Sequence, residues 1–118
     1  MGQPPRSAHD DDAVQRAQKW LFAHFREPID LEALATKVGM SGRNFARRFK
    51  AATGDAPLAY LHRLRIDSAK HYLESAHRSV QEISQDVGYE DVVFFRQLFR
   101  RHTGTSPREY RARFGLKG

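Results

Sequence analysis

Residues 31–60 read LEALATKVGMSGRNFARRFKAATGDAPLAY, and residues 80–110 read VQEISQDVGYEDVVFFRQLFRRHTGTSPREY. The second stretch restates the first. Leu31, Leu34, Val38, Gly39, Phe45, Phe49, Thr53, Gly54, Pro57 and Tyr60 return as Val80, Ile83, Val87, Gly88, Phe95, Phe99, Thr103, Gly104, Pro107 and Tyr110. The offset is 49 between Gly39 and Gly88 and 50 between Phe45 and Phe95, so the second copy carries one extra residue between its two halves. Two copies are too few for a solenoid, which needs about three repeats to bury its stacked faces. The chain reads as two related helical modules.

Local signals divide each copy into a short helix, a glycine turn and a longer helix. Asp30 is a good N-cap for a helix from Leu31 to Val38, and Ser41 caps a second that runs to about Thr53 before Gly54. In the second copy Ser79-Val80-Gln81-Glu82 is a capping box opening a helix to Val87, and the next spans about Val92 to His102. Ser106-Pro107-Arg108-Glu109 joins another capping box to proline at N1 and opens a last helix to about Phe114. Pro57 likewise opens a long helix to about Ser75, with Leu58, Leu61, Leu64 or Arg65, Ala69, Tyr72 and Leu73 as its apolar stripe. Ahead of the repeats, Val14, Ala17, Leu21 and Phe25 recur at helical spacing between Ala13 and Phe25. Residues 1–12, with Gly2, Pro4, Pro5 and three aspartates, show no apolar period and read as a flexible tail or linker. The fold class is all-α, with seven helices.

A small residue four places before the glycine, Ala35 or Ser84, lets two helices cross closely. With the glycine and the paired aromatics this is the pattern of a helix-turn-helix, and it occurs twice. Rotating by 100° per residue from Phe45 puts Phe49 and Ala52 inward and turns Arg43, Ala46, Arg47 and Lys50 outward. The same rotation from Phe95 puts Leu98, Phe99 and His102 toward the core and leaves Val93, Arg96, Gln97 and Arg100 outside. The two outward faces fall on the same repeat positions.

Those faces suit a DNA groove. Arginine bonds guanine bidentately, glutamine does the same for adenine, and valine packs on a thymine methyl. The expected base-contacting residues are Arg43, Asn44, Ala46, Arg47, Val92, Val93, Arg96 and Gln97. Ser41, Lys50, Asp91, Arg100, Arg101 and Ser106 are expected at phosphates, where contacts position the protein without specifying sequence. The long helix, about 19 residues at 1.5 Å each, is roughly 28 Å long. That is close to the ~34 Å between successive major-groove faces, so one chain could set two readers one turn apart without dimerising.

Composition agrees with a polyanionic partner and argues against other chemistry. The 118 residues carry a net charge of +6. From Asp91 to Arg113 there are Arg96, Arg100, Arg101, Arg108, Arg111 and Arg113 against only Asp91 and Glu109, a concentration that favours a polyanion. The absence of cysteine excludes disulfides, thiolate zinc sites and a cysteine nucleophile. Six histidines show no close-set ligand spacing, and neither a glycine-rich phosphate loop nor a serine-histidine-acid set can be placed. No enzyme activity, cofactor or metal is expected. No apolar run approaches the ~20 residues of a membrane span, and the reading is a cytoplasmic protein that joins the nucleoid when bound to DNA.

Gly88-Tyr89-Glu90-Asp91, followed by Phe95, Phe99-Arg100-Arg101, Gly104, Ser106-Pro107 and Tyr110-Arg111, resembles the signature of AraC/XylS-type transcriptional regulators. The resemblance runs from about Ala13 to Phe114. It implies a bacterial DNA-binding domain over residues 13–118, with helix-turn-helix subdomains at 13–55 and 77–118 joined by a helix at 57–75. It further implies double-stranded DNA and RNA polymerase as partners, activation as the usual outcome, and an effector bound by a sensor domain not found in these residues. Met40-Ser41-Gly42-Arg43-Asn44-Phe45-Ala46-Arg47-Arg48-Phe49 is most similar to members with an amidotransferase-like sensor domain. Two departures stand out: Arg96-Gln97 replaces the serine and arginine common in the last recognition helix, and Ser84 replaces the usual alanine. The isolated domain is expected to be a monomer, either an excised C-terminal domain or a small stand-alone activator. The rival reading is a basic helical module that binds an acidic protein.

Overall fold

A computed structural model describes residues 8–116 of the chain. Among them lie seven helices and no strand: α1 (Ala8–His24), α2 (Leu31–Lys37), α3 (Gly42–Thr53), α4 (Pro57–Ser75), α5 (Val80–Asp86), α6 (Val92–Thr103) and α7 (Pro107–Phe114). They form two compact units. One comprises the chain up to His24 with Ile29–Leu61, the other Phe25–Pro28 with the chain from His62 onward.

In the first unit the caps fall where the sequence places them. Asp30 accepts the Ala33 N–H at 3.1 Å and Ser41 accepts the Asn44 N–H at 3.2 Å, satisfying donors that the first turns of α2 and α3 leave unpaired. α3 packs on both α1 and α2. Ala13, Val14, Ala17 and Leu21 of α1 are buried, as are Leu34, Ala35, Val38, Met40, Phe45 and Phe49. Tyr60 and Phe49 meet in a T-shaped pair, with centroids 5.0 Å apart and planes at 85°.

The second unit repeats these features. Ser79 and Glu82 form the full capping box of α5, and Ser106 caps α7 with Pro107 at N1. Ile66, Ala69 and Leu73 of α4 pack with Ile83, Val87, Tyr89, Phe95, Leu98 and Phe99 in one core. Phe99 and Tyr110 repeat the Phe49–Tyr60 contact at 5.5 Å and 79°. The turns match as well: the Met40 N–H reaches the Ala35 carbonyl at 2.9 Å, and the Tyr89 N–H reaches the Ser84 carbonyl at 2.8 Å. Ser84 adds a bond the first copy lacks, its hydroxyl donating to the Tyr89 carbonyl at 2.9 Å.

Four expectations are corrected. α1 begins at Ala8 rather than Ala13, because residues 8–12 hold no proline or glycine to stop the helix; the rest of the expected tail lies outside the described residues. Leu58 is exposed, and the stripe of α4 instead buries Ile66 and takes Arg65 in preference to Leu64. Ala52 and His102 are exposed. At both helix ends the inward place goes to the next residue, a half-buried threonine whose hydroxyl is bonded into the turn. Thr53 donates to the Phe49 carbonyl and Thr103 to the Phe99 carbonyl, each at 2.8 Å.

Candidate nucleic-acid interface

The exposed face of α3 is organised by its own cap. Ser41 holds the Asn44 N–H, and the Asn44 side-chain oxygen accepts from Arg47 Nη2 at 2.9 Å, which orders Arg47 along the helix. Ser41, Arg43, Asn44 and Arg47 line one open recess. Arg43, Ala46, Arg47 and Lys50 are exposed, at the three- and four-residue steps that share a helix face. Asn44 is half-buried.

On α6, Val93, Arg96, Gln97, Arg100 and Arg101 are exposed and Val92 is half-buried. Val93 keeps 58% of its surface and Phe94 43%, an apolar pair beside arginines. Phe94 is not loose: its ring packs on Tyr89 at 5.7 Å and on His62 at 6.0 Å. The structure gives Asp91 a task other than phosphate contact. Its carboxylate accepts the N–H groups of Val93 at 2.9 Å and Phe94 at 3.2 Å, and as an anion it would repel phosphate. Ser106 is half-buried and caps α7, and Arg100 is paired with Glu109 at 3.1 Å.

Behind α6 lies a polar cluster that sequence reasoning missed. His62 Nδ1 is 2.6 Å from the Tyr89 hydroxyl, and the Arg65 guanidinium lies 4.9 Å from the centre of the Tyr89 ring. Burial, then the nearby positive charges of Arg65, His102 and Arg101, hold His62 below its ordinary pKa. Burial raises that of Tyr89. The available signal was the four-residue step of the α4 stripe, which lands on Arg65. Among the described residues no group of three or more histidine, cysteine, aspartate or glutamate side chains is placed to hold a metal ion, and no helix is long and apolar enough to cross a membrane.

Two short-helix, glycine-turn, long-helix units, each with a basic outer face on its long helix, define a helix-turn-helix DNA-binding domain. The family model described as "Helix-turn-helix domain" matches residues 34–113. The HTH-type transcriptional activator RhaS of Citrobacter koseri is 37% identical over 105 residues, and that of Salmonella arizonae 40% over the same length. These alignments cover 89% and 88% of this chain but 38% of each activator, so the chain spans less than half the length of those relatives. Among solved structures, the DNA-binding domain of AdpA in complex with a target DNA superposes with a TM-score of 0.82 at 38% identity, covering 86% of this chain and 92% of that one. A Chromobacterium violaceum transcriptional regulator with an AraC-type DNA-binding domain gives 0.81 at 28% identity, covering 95% and 100%. The chain belongs to the AraC-type helix-turn-helix family of DNA-binding transcription regulators.

Proposed function

We propose that α3 and α6 are the recognition helices and that they enter successive major-groove segments of one duplex. The observation that carries this reading is the matched outer face: Arg43, Ala46, Arg47 and Lys50 on α3, and Val93, Arg96, Gln97 and Arg100 on α6, all exposed at equivalent steps. Arg43, Asn44, Ala46 and Arg47, with Val92, Val93, Arg96 and Gln97, read base edges. Ser41, Lys50, Arg100, Arg101 and the N-terminal turn of α7 at Ser106 hold phosphates. The domain binds as a monomer.

The RhaS relatives are named transcriptional activators, and activation through RNA polymerase is the corresponding role for this domain. The effector binds elsewhere, in a sensor domain of the amidotransferase-like type. The protein works in the cytoplasm, at the nucleoid, without cofactor or catalysis. Selection of duplexes from a random pool, followed by gel shifts against scrambled duplex across a salt series, tests the reading. With about 6 to 10 phosphate contacts, log K should fall with log salt with a slope on the order of −5 to −9. A slope near zero, or equal affinity for selected and scrambled duplex, would instead favour a module that binds an acidic protein.

A further inference from the structure

The two units build the same recess and treat it differently. Setting Ala17 and Leu21 of α1 on Ala69 and Leu73 of α4, an offset of 52, places Val14 on Ile66, Trp20 on Tyr72 and Arg16 on Ser68. Val14, Ala17 and Leu21 are buried, as are Ile66, Ala69 and Leu73, and Trp20 and Tyr72 are both half-buried, so the register holds in the structure. The repeat offset of 49 likewise places Leu34, Lys37 and Val38 on Ile83, Asp86 and Val87. Each unit thus has an aromatic residue on its leading helix and a charged residue at the end of its short helix, and the two charges are of opposite sign.

In the second unit the chain itself supplies the counter-charges. Arg26 Nη2 donates to the Ser68 hydroxyl at 3.4 Å and to the Tyr72 hydroxyl at 3.5 Å. The Arg78 guanidinium lies 5.8 Å from the centre of the Tyr72 ring and pairs with Asp86. Both arginines stand between helices, Arg26 after α1 and Arg78 after α4. All of these residues belong to the second unit.

The first unit inverts the signs and leaves the recess open. Arg16, Trp20, Leu34, Lys37 and Val38, all of the first unit, line a recess of about 260 Å³. Leu34 and Val38 form its buried apolar floor, while Arg16 and Lys37 are exposed on its rim. Arg16 Nη2 donates to the Val38 carbonyl at 3.5 Å, and Lys37 Nζ stands 5.3 Å from the centre of the Trp20 ring, which also stacks on His24 with centroids 4.5 Å apart. Ile29, not a charged residue, occupies the repeat position of Arg78. None of the lining residues lies on α3.

We propose that this recess docks a short acidic segment of a partner protein, with an apolar side chain settling on Leu34, Val38 and Trp20 while carboxylates on either side meet Arg16 and Lys37. The second unit sets the precedent: there a rim bearing a carboxylate takes arginines from segments between helices. A rim bearing two cations calls for carboxylates by the same charge complementarity. An apolar anchor in a pocket with a charged rim is also how a peptide site combines affinity with selectivity. A phosphate backbone offers no such anchor. The docking is separate from DNA recognition, and its failure would leave the two-element reading untouched.

The test reads the fluorescence of Trp20, the one tryptophan of the chain. The full chain is titrated, alone and again with saturating selected duplex, with the peptide acetyl-Glu-Glu-Leu-Phe-Glu-Glu-amide and with versions carrying glutamine or arginine in place of glutamate. The glutamate peptide should give a saturable change with a midpoint below about 1 mM, the same with and without duplex, and the glutamine peptide should bind roughly tenfold more weakly. Arg16→Ser combined with Lys37→Asp, which gives the first recess the rim residues of the second, should reverse the order and favour the arginine peptide. Lys37→Gln alone should narrow the tenfold preference to about threefold. No saturable response to the glutamate peptide, an equal response to the glutamate and glutamine peptides, or a preference unchanged in both variants overturns the proposal. So does displacement of the peptide by duplex, which would assign the recess to DNA. Urea melts establish that each variant is folded, and should the double variant not fold, Lys37→Gln and the wild-type peptide series still decide.

Discussion

Nδ1 of His62 lies 2.6 Å from the phenolic oxygen of Tyr89, in a cluster that also touches Phe94 at the start of α6. The neutral ring can accept the tyrosine proton there. Burial, together with the charges of Arg65, His102 and Arg101, opposes its protonation, so the folded pKa lies below the ordinary 6.5. The unfolded chain then binds the proton more readily than the folded one, and stability must rise with pH between the folded value and 6.5. Above that window the contribution is constant. Urea melts from pH 5 to 8 should show this slope in the wild type and lose it in His62→Gln, and an identical slope in both would place the titration elsewhere.

Ser84→Ala should cost about 0.5–1.5 kcal/mol, since it removes the bond to the buried Tyr89 carbonyl. The turn itself should survive, because the first unit builds the same turn with Ala35. Equilibrium denaturation checks the loss, and a variant as stable as the wild type would mean the bond contributes nothing.

Much of the fold was legible because the repeat carries the same physics twice. Asp30, Ser41, Ser79 and Ser106 all cap as their sequence context requires, and Phe45, Phe49, Phe95 and Phe99 fill the two cores. Helical periodicity failed at the helix ends. Ala52 and His102 lie on the inward angle, but Thr53 and Thr103 take that place because their hydroxyls bond the turn carbonyls, a local chemistry that periodicity does not see. Arg65 was half-legible: the four-residue step points to it, while its charge argues for the surface. Only the partner carbonyls of Phe25 and Glu27, some forty residues away in sequence, make its burial sensible.

The outward residues should divide into readers and positioners. Arg47→Ala and Gln97→Ala should each cost roughly 1–3 kcal/mol and relax preference at particular base pairs, whereas Lys50→Ala and Arg101→Ala should weaken matched and mismatched duplexes alike. Quantitative gel shifts on single-base variants of the selected site check the division. A uniform loss for all four would erase it.

Glu109 holds Arg100 in an exposed pair at 3.1 Å, and an exposed pair is worth only about 0.2–1 kcal/mol. Glu109→Gln should release Arg100 to phosphate and remove one negative charge from the interface. Affinity for any duplex should rise by a few fold, and the salt slope should steepen by up to about 1. A loss of affinity would mean instead that the pair holds Arg100 in its binding pose.

In the proposed reading, two recognition helices act through one duplex face. Footprinting on a selected site and on the same site with five base pairs inserted between its elements measures this directly, because five base pairs turn the second element to the far side of the helix. The expected result is protection of two elements about 10 base pairs apart in the original site, and affinity close to that of a single element after the insertion. Equal protection of both elements at either spacing would contradict it.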